Sequence, residues 1–248
     1  MQAKTVDEVI EMLQQIIDDC TAKDRKLAYF PILYQKVTIA VKEGIERKEF
    51  EDNDRMERLD VVFANRYLKA YSQYQSGEQG SECWKVAFEA SDAFWPIILQ
   101  QLLLGINAHI NLDLGIAAAE IAPGNQIEEL KGDFYKINEI LSSMVEGVQV
   151  DIGKLSPIIG ILDFLAGKID ERIVDFSIEV ARDGAWDFAN EYALLNTNEK
   201  ASLKQKRDQS ITWLANDVRN PGILLGSIVK VIRLTEWASV KKVIKVLT

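Results

Sequence analysis

The stretch Leu102–Glu120, LLLGINAHINLDLGIAAAE, is an apolar run with the length of a core helix, and it contains the only histidine of the chain. No lysine or arginine occurs between Phe94 and Ala122. Four polar side chains interrupt the run: Asn107, His109, Asn111 and Asp113. Burying polar groups costs free energy unless they are hydrogen-bonded. The run therefore predicts either a functional site or a buried polar network.

Helical geometry divides these four side chains between two faces. His109 and Asp113 are four residues apart and share one face of an α-helix. Asn107 and Asn111 share a face that is roughly opposite, since two residues correspond to about half a turn. A helix with polar groups on opposite faces needs neighbours on both sides, so we expect it to lie at the centre of the protein. Pro96 is expected to open this helix.

The remainder of the chain is also typical of amphipathic helices. Thr5–Glu8 matches a capping box and precedes apolar residues at helical spacing. The acidic cluster at Glu51–Asp54 favours a helix start. Further segments are expected to be helical: 31–44, 81–88, 134–150, the segment after Ser156-Pro157, 170–195, 199–218, and one amphipathic segment that contains Val229, Ile232 and Val243.

The composition agrees with a helical protein. Only 14 glycines and 5 prolines occur in 248 residues, which leaves few positions for the turns of a strand-rich fold. Hydrophobic residues make up 48% of the chain, enough for a sizeable core. We predict an all-α fold, a single-domain multi-helix bundle that spans residues 1–248 and has a central buried helix.

Charge and targeting signals limit the classes of partner. A net charge of -9 argues against nucleic acid, because phosphate binding relies on lysine and arginine. No integral membrane segment is expected, since the apolar run carries His109 and Asp113 near its middle. The first residues are charged and lack an apolar signal core, and two cysteines are too few for a disulfide framework. These features predict a cytoplasmic protein.

The C-terminal segment has one feature that favours weak, peripheral contact with a membrane. It is locally basic, with Lys230, Arg233, Lys241, Lys242 and Lys245 against Glu236. A basic amphipathic helix can lie on an acidic membrane surface. The alternative is a last bundle helix with solvated lysines. The sequence does not specify an oligomeric state.

The polar centre supports two hypotheses. In the first, the protein is an enzyme that acts on a small, partly apolar molecule, with His109 as the acid or base and Asp113 as the residue that orients it. Asn111, Asp60 and Tyr67 are then the candidates for substrate binding. In the second, the protein is a non-catalytic binder of a ligand or partner, and the polar centre is structural. A cavity that reaches His109 favours the first; a sealed and fully hydrogen-bonded histidine favours the second.

The single histidine limits the kinds of metal site that this chain can form. A multi-zinc cluster of the phospholipase C or P1-nuclease type needs several further histidines. A ferritin-like di-iron site needs paired Glu-x-x-His motifs, and the residue three positions before His109 is Ile106. One site made of His109 with carboxylates such as Asp113 and Asp60 stays open. No motif specifies a cofactor.

Several phrases together resemble a known family. They are AYFPILYQKVT (Ala28–Thr38), MERLDVVFANRY (Met56–Tyr67), LLLGINAHINLDL (Leu102–Leu114) and an Ala-Arg-x-x-Ala-Trp element at Ala181–Trp186. They resemble a bacterial family of uncharacterised helical proteins, catalogued as a domain of unknown function. The resemblance covers about residues 25–215, and the asparagine–histidine phrase is its most specific part. It implies a single helical domain and carries no activity.

Overall fold

The computed structural model describes residues 2–156, 158–159, 178–236 and 238–248, and within these ranges every regular element is a helix. The helices are α1 (Val6–Ala22), α2 (Tyr29–Glu46), α3 (Asn53–Ser76), α4 (Glu82–Asp92), α5 (Ile98–Ala108), α6 (Gly115–Ile121), α7 (Lys131–Leu155), α8 (Ile178–Leu194), α9 (Thr197–Arg219), α10 (Gly222–Thr235) and α11 (Val240–Leu247). Short 3-10 turns occupy Lys26–Ala28 and Gly124–Leu130. The prediction of an all-α multi-helix fold is confirmed.

Local capping residues set several helix ends. The Thr5 hydroxyl accepts a hydrogen bond from the backbone N–H of Glu8 at 3.2 Å, and Asp52 caps α3 through the N–H of Arg55 at 2.9 Å. These bonds satisfy N–H groups that have no partner inside the helix. Gly77 ends α3 in the left-handed conformation, with φ of 72°, as glycine readily does.

Two other helix starts depend on acidic residues from distant parts of the chain. Asp208 of α9 accepts hydrogen bonds from the backbone N–H groups of Glu82 and Cys83, and thereby caps α4. Ser81 occupies the N-cap position of α4, but its side chain makes no capping bond. Asp133 of α7 binds the N–H groups just before α3 in the same way. These bonds tie separate helices together.

The central helix runs from Ile98 to Ile121 and differs from the expectation in two ways. It begins after Pro96, with Ile97 at the N-cap. Its middle, His109–Leu114, is π-helical and separates α5 from α6, whereas a uniform α-helix was expected. We call this six-residue part the π segment. A wider helical turn of this kind is rare and occurs often at functional sites.

The central helix is long and apolar enough to cross a membrane by length and composition. However, 89% of its most apolar window is buried inside the protein, which is how the core helix of a soluble bundle behaves. It contacts α2 and α4 near its start and α3 and α8 near its end, with α9 along α5 and the π segment. At Gly115 a Cβ would lie 2.7 Å from the Ala185 carbonyl oxygen, so α8 packs directly on this glycine.

The C-terminal part forms two helices, α10 and α11, instead of the one amphipathic segment expected. They separate because the chain leaves the helix at Glu236 and Ser239 caps a new one through the N–H of Lys242. The apolar face of α11 is buried against α2 and α7, and its lysines are exposed. The helix expected after Ser156-Pro157 lies mostly outside the described residues, and the single domain over 1–248 stays a prediction.

Candidate functional site

A cavity of about 210 Å³ lies beside the π segment, and its wall is almost entirely apolar. It is bordered by α2, α3, α5, α7 and the π segment, with one residue from α8. An engineered apolar cavity of about 150 Å³ is large enough to bind benzene, so this one can hold a molecule of that size or larger. Its lining includes four polar or ionisable side chains with a role below: Tyr34, Asp60, His109 and Arg182.

Aromatic rings hold the imidazole of His109 in place. The ring stacks on Phe63, with 3.6 Å between centroids and 8° between planes. Tyr34 and Phe30 meet it in T-shaped arrangements, with centroids 4.3 and 5.6 Å away. Phe30 reaches this position because it lies on Gly105, where a Cβ would be only 2.4 Å from the Phe30 ring. The glycine in the LLLGINAH phrase therefore makes room for one wall of the site.

Both ring nitrogens of His109 are buried and have no hydrogen-bond partner among the described residues. The nearest charged atom is Oδ2 of Asp113, 3.8 Å from Nδ1, which exceeds hydrogen-bond length. Burial lowers the pKa of His109, and the Asp113 charge only partly opposes this shift. The imidazole is therefore neutral at pH 7, with one nitrogen able to donate and the other able to accept.

Asp113 lies beside His109 on the π segment, and both of its carboxylate oxygens accept hydrogen bonds. Its Oδ1 accepts from Arg66 Nε at 3.0 Å, and its Oδ2 accepts from Trp84 Nε1 at 2.8 Å. Burial alone raises the pKa of Asp113, but the Arg66 guanidinium and the other donors outweigh it and hold the pKa below its ordinary value. Asp113, Arg66 and Trp84 line a separate cleft of about 920 Å³ with a mainly polar wall.

Asp60, on α3, lines the apolar cavity together with His109. Its Oδ2 is buried and has no hydrogen-bond partner in the described part of the chain. Burial, and to a lesser degree the negative charge of Glu57, raise the pKa of Asp60 to about 7. This carboxyl group therefore gains or loses a proton near neutral pH.

Two of the predicted substrate-binding residues lie elsewhere. Asn111 donates to the side chain of Asn107 at 2.9 Å, and Asn107 donates to the Ile211 carbonyl of α9 at 3.1 Å. These bonds connect the opposite face of the central helix to α9. Tyr67 is buried behind the aromatic rings, with its centroid 6.2 Å from that of His109, and it does not line the cavity.

Arg182 lines the cavity and was not among the predicted site residues. It is 2% exposed, its guanidinium lies 4.7 Å from the centre of the Phe134 ring, and it donates to the Phe134 carbonyl. Burial lowers its pKa to about 10, so the group still carries its charge at pH 7. One sequence signal was present: Arg182 precedes Trp186 and Ala189 by four and seven residues, which places it on the buried stripe of α8.

A metal site does not form from the predicted ligands. Among the residues that the structure describes, no group of three histidine, cysteine, aspartate or glutamate side chains is close enough to hold a metal ion. His109 and Asp60 face the cavity, whereas Asp113 bonds to Arg66 and Trp84 and lines the cleft.

The family model of DUF5995, described as a family of unknown function, matches residues 6–221. The chain belongs to this family. The match includes the π segment and the described residues that line the cavity. No curated protein and no solved structure matches the chain in the corresponding searches. The DUF5995 match therefore establishes the family of the chain. It carries no activity, so the function is inferred from the site.

Proposed function

We propose that this DUF5995 protein binds a small, largely apolar molecule in the cavity beside His109. One observation carries the proposal: an apolar cavity of about 210 Å³ meets a neutral histidine whose nitrogens have no partner among the described residues. Ligand pockets characteristically combine an apolar wall with a few polar groups that fix orientation. A ligand hydroxyl or carbonyl placed at the imidazole would supply the missing hydrogen bond.

The aromatic packing supports binding because it keeps the site preorganised. Phe63, Tyr34 and Phe30 hold the imidazole from three directions. A group fixed before binding loses little conformational freedom when the ligand arrives, which favours affinity.

The proposal is tested with 1-hexanol as the probe, measured by titration calorimetry on the purified chain. We expect one molecule to bind per chain. Ile106 lines the cavity, so Ile106→Trp should fill it and weaken binding at least tenfold. Ile10 is also partly buried against the core but lies outside the cavity, and Ile10→Trp is the matched control that should retain binding. Absent binding, or equal binding by both variants, contradicts the proposal.

A catalytic role is the second candidate function. It is favoured because Asp60, with a pKa of about 7, and His109, with a pKa lowered by burial, line one cavity. General acids and bases work best when their pKa lies near the operating pH. Asp113 would then orient His109 only weakly, because 3.8 Å separates the two groups.

The two candidate functions predict different bound compounds in a variant that lacks the Asp60 carboxylate. The compound that copurifies with the chain should be extracted from wild type and from Asp60→Asn, and identified by mass spectrometry. An enzyme holds product in the wild type and substrate in the variant. A binding protein holds the same compound in both, and that result would remove the catalytic candidate.

A further inference from the structure

Four acidic side chains are buried among the described residues, and one of them differs from the rest. Asp113 binds Arg66 and Trp84. Asp133 accepts two backbone N–H bonds and pairs with Arg55 at 3.0 Å. Glu236 accepts from Ser156 and from the N–H of Ile98. Among these four, in the part of the chain that the structure describes, Asp60 alone has neither a hydrogen-bond donor nor a cation as partner, although it is only 7% exposed.

An unpartnered buried carboxyl group needs an explanation, because burial without a hydrogen bond costs free energy. Asp60 faces a cavity, so its missing partner can come from a ligand. Two further acceptors belong to the same cavity wall. The Tyr34 hydroxyl and both nitrogens of His109 are buried and also lack partners in the part of the chain described.

Tyr34 lies near each of the other two groups. The rings of Tyr34 and His109 have centroids 4.3 Å apart. The charge of Asp60 acts on Tyr34 strongly enough to contribute to the raised pKa of that phenol, after the larger effect of burial. Phe63 follows Asp60 by three residues on α3, which places both on the same helix face, and its ring stacks on His109.

We propose that the cavity binds an apolar amine, whose ammonium group pairs with the Asp60 carboxylate and whose hydrocarbon part fills the apolar space. An ammonium group offers three N–H donors, which matches the acceptors of Asp60, Tyr34 and His109. Phe63 and Tyr34 line the same cavity, and aromatic rings attract cations. This inference rests on the proposed function and specifies its ligand class.

Arg182 favours a competing class, the apolar acids, because its cationic group lines the same cavity. Its guanidinium already lies over the Phe134 ring and its Nη2 donates to the Phe134 carbonyl, although its Nε has no partner among the described residues. Asp60 has no such internal partner among the described residues, so its need for a ligand is greater. The experiment therefore includes hexanoate, which binds most tightly if Arg182 determines the ligand class.

The test compares three probes with one hydrocarbon chain, namely hexylamine, 1-hexanol and hexanoate, by titration calorimetry at pH 8.5. We expect hexylamine to bind at least tenfold more tightly than 1-hexanol, and hexanoate to bind most weakly. Asp60→Asn should remove the preference for the amine and leave 1-hexanol binding within about threefold. Asp54→Asn, an exposed acid on the same helix, is the matched control and should retain the preference.

The pH dependence provides a second readout that does not require a variant to fold. The charged and titratable groups that act on Asp60 or line the same cavity are Tyr34 on α2, Glu57 on α3, His109 on the π segment and Arg182 on α8. Amine binding requires ionised Asp60, so hexylamine affinity should fall up to tenfold per unit as the pH drops below about 7. The affinity of 1-hexanol should change much less.

The outcomes separate the two claims. If 1-hexanol and hexanoate bind as tightly as hexylamine, the amine inference is wrong and the cavity remains a binding site. Tighter binding of hexanoate than of hexylamine assigns the ligand class to Arg182 and also overturns the inference. If none of the three probes binds, both the inference and the proposed function fail.

Discussion

The polar cleft and the apolar cavity, which meet at the contact between Asp113 and His109, surround their buried polar groups in opposite ways. On the side of the polar cleft, Asp113 is bonded to Arg66 and Trp84, and its pKa stays low. On the side of the apolar cavity, His109 and Asp60 have no such partners among the described residues, and burial shifts the pKa of each toward its neutral form. We infer that the first group stabilises the fold, whereas the second is available to a ligand.

The largest effect is expected from breaking the bonded side. Asp113→Leu removes the buried carboxylate from Arg66, whose side chain is only 19% exposed, and leaves it the half-exposed carboxylate of Glu120 at 3.4 Å. Removing one partner of a buried ion pair typically costs about 3–5 kcal/mol. We expect a loss in this range in the free energy of unfolding, measured by urea denaturation at pH 7.

The control for this prediction removes both charges. The double variant Asp113→Leu with Arg66→Leu has no uncompensated charge, so it should be clearly more stable than Asp113→Leu alone. If the single and double variants are equally destabilised, the pair does not act as a bonded unit, and the contrast between the two sides loses its basis.

The next effect concerns the cavity side and its pH dependence. The pKa of Asp60 is about 7 in the folded protein and about 3.9 in an unfolded chain. The folded state therefore binds more protons between these values, and stability should fall as the pH rises from about 4 to about 7, by up to about 1.4 kcal/mol per unit. Asp60→Asn should lose this slope, as followed by urea denaturation at several pH values.

His109 contributes with the opposite sign and must be separated from Asp60. Its folded pKa is lowered by burial, so the unfolded chain takes up the proton first, and stability falls as the pH drops below about 6.5. The difference between Asp60→Asn and wild type cancels this contribution. An unchanged difference from pH 4 to pH 8 would show that the Asp60 carboxyl is already paired in the folded protein.

Helical spacing was sufficient to predict most of the fold. The capping residues Thr5 and Asp52 lie where the sequence pattern places them. The π segment could not be predicted, because its wider turn depends on packing between helices and not on a local residue preference. The cap of α4 could not be predicted either, because it comes from Asp208, 126 residues from Glu82, and not from the adjacent Ser81.

The candidate site was predictable only in part. Polar residues in an apolar run pointed to His109 and Asp113, which the structure places on the π segment. Sequence spacing could not predict that Arg66 and Trp84, rather than His109, donate hydrogen bonds to the Asp113 carboxylate. These bonds depend on the packing of three different helices. Arg182 comes from a helix far along the chain, and the cavity it lines exists only after packing.

The smallest effect on stability is expected at His109 itself. His109→Phe removes two buried nitrogens that have no hydrogen bonds to lose and keeps an aromatic ring on Phe63. Replacing unsatisfied polar atoms by apolar ones is often neutral or stabilising. We expect the free energy of unfolding to stay within about 1 kcal/mol of wild type. Asn107→Leu, on the same helix, is the control: it breaks the bond to Ile211 and should cost about 1–3 kcal/mol.

The affinity for 1-hexanol should respond to these two variants in the reverse order. His109→Phe removes the group that meets the polar end of 1-hexanol, so affinity should fall about 3- to 10-fold, the equivalent of one hydrogen bond. Asn107→Leu changes the opposite face of the helix and should leave affinity unchanged once the protein is folded. A histidine kept for structure gives the opposite pattern, with lost stability and unaltered binding. The pair of variants therefore decides whether the unpartnered histidine of the apolar cavity serves a ligand or the fold.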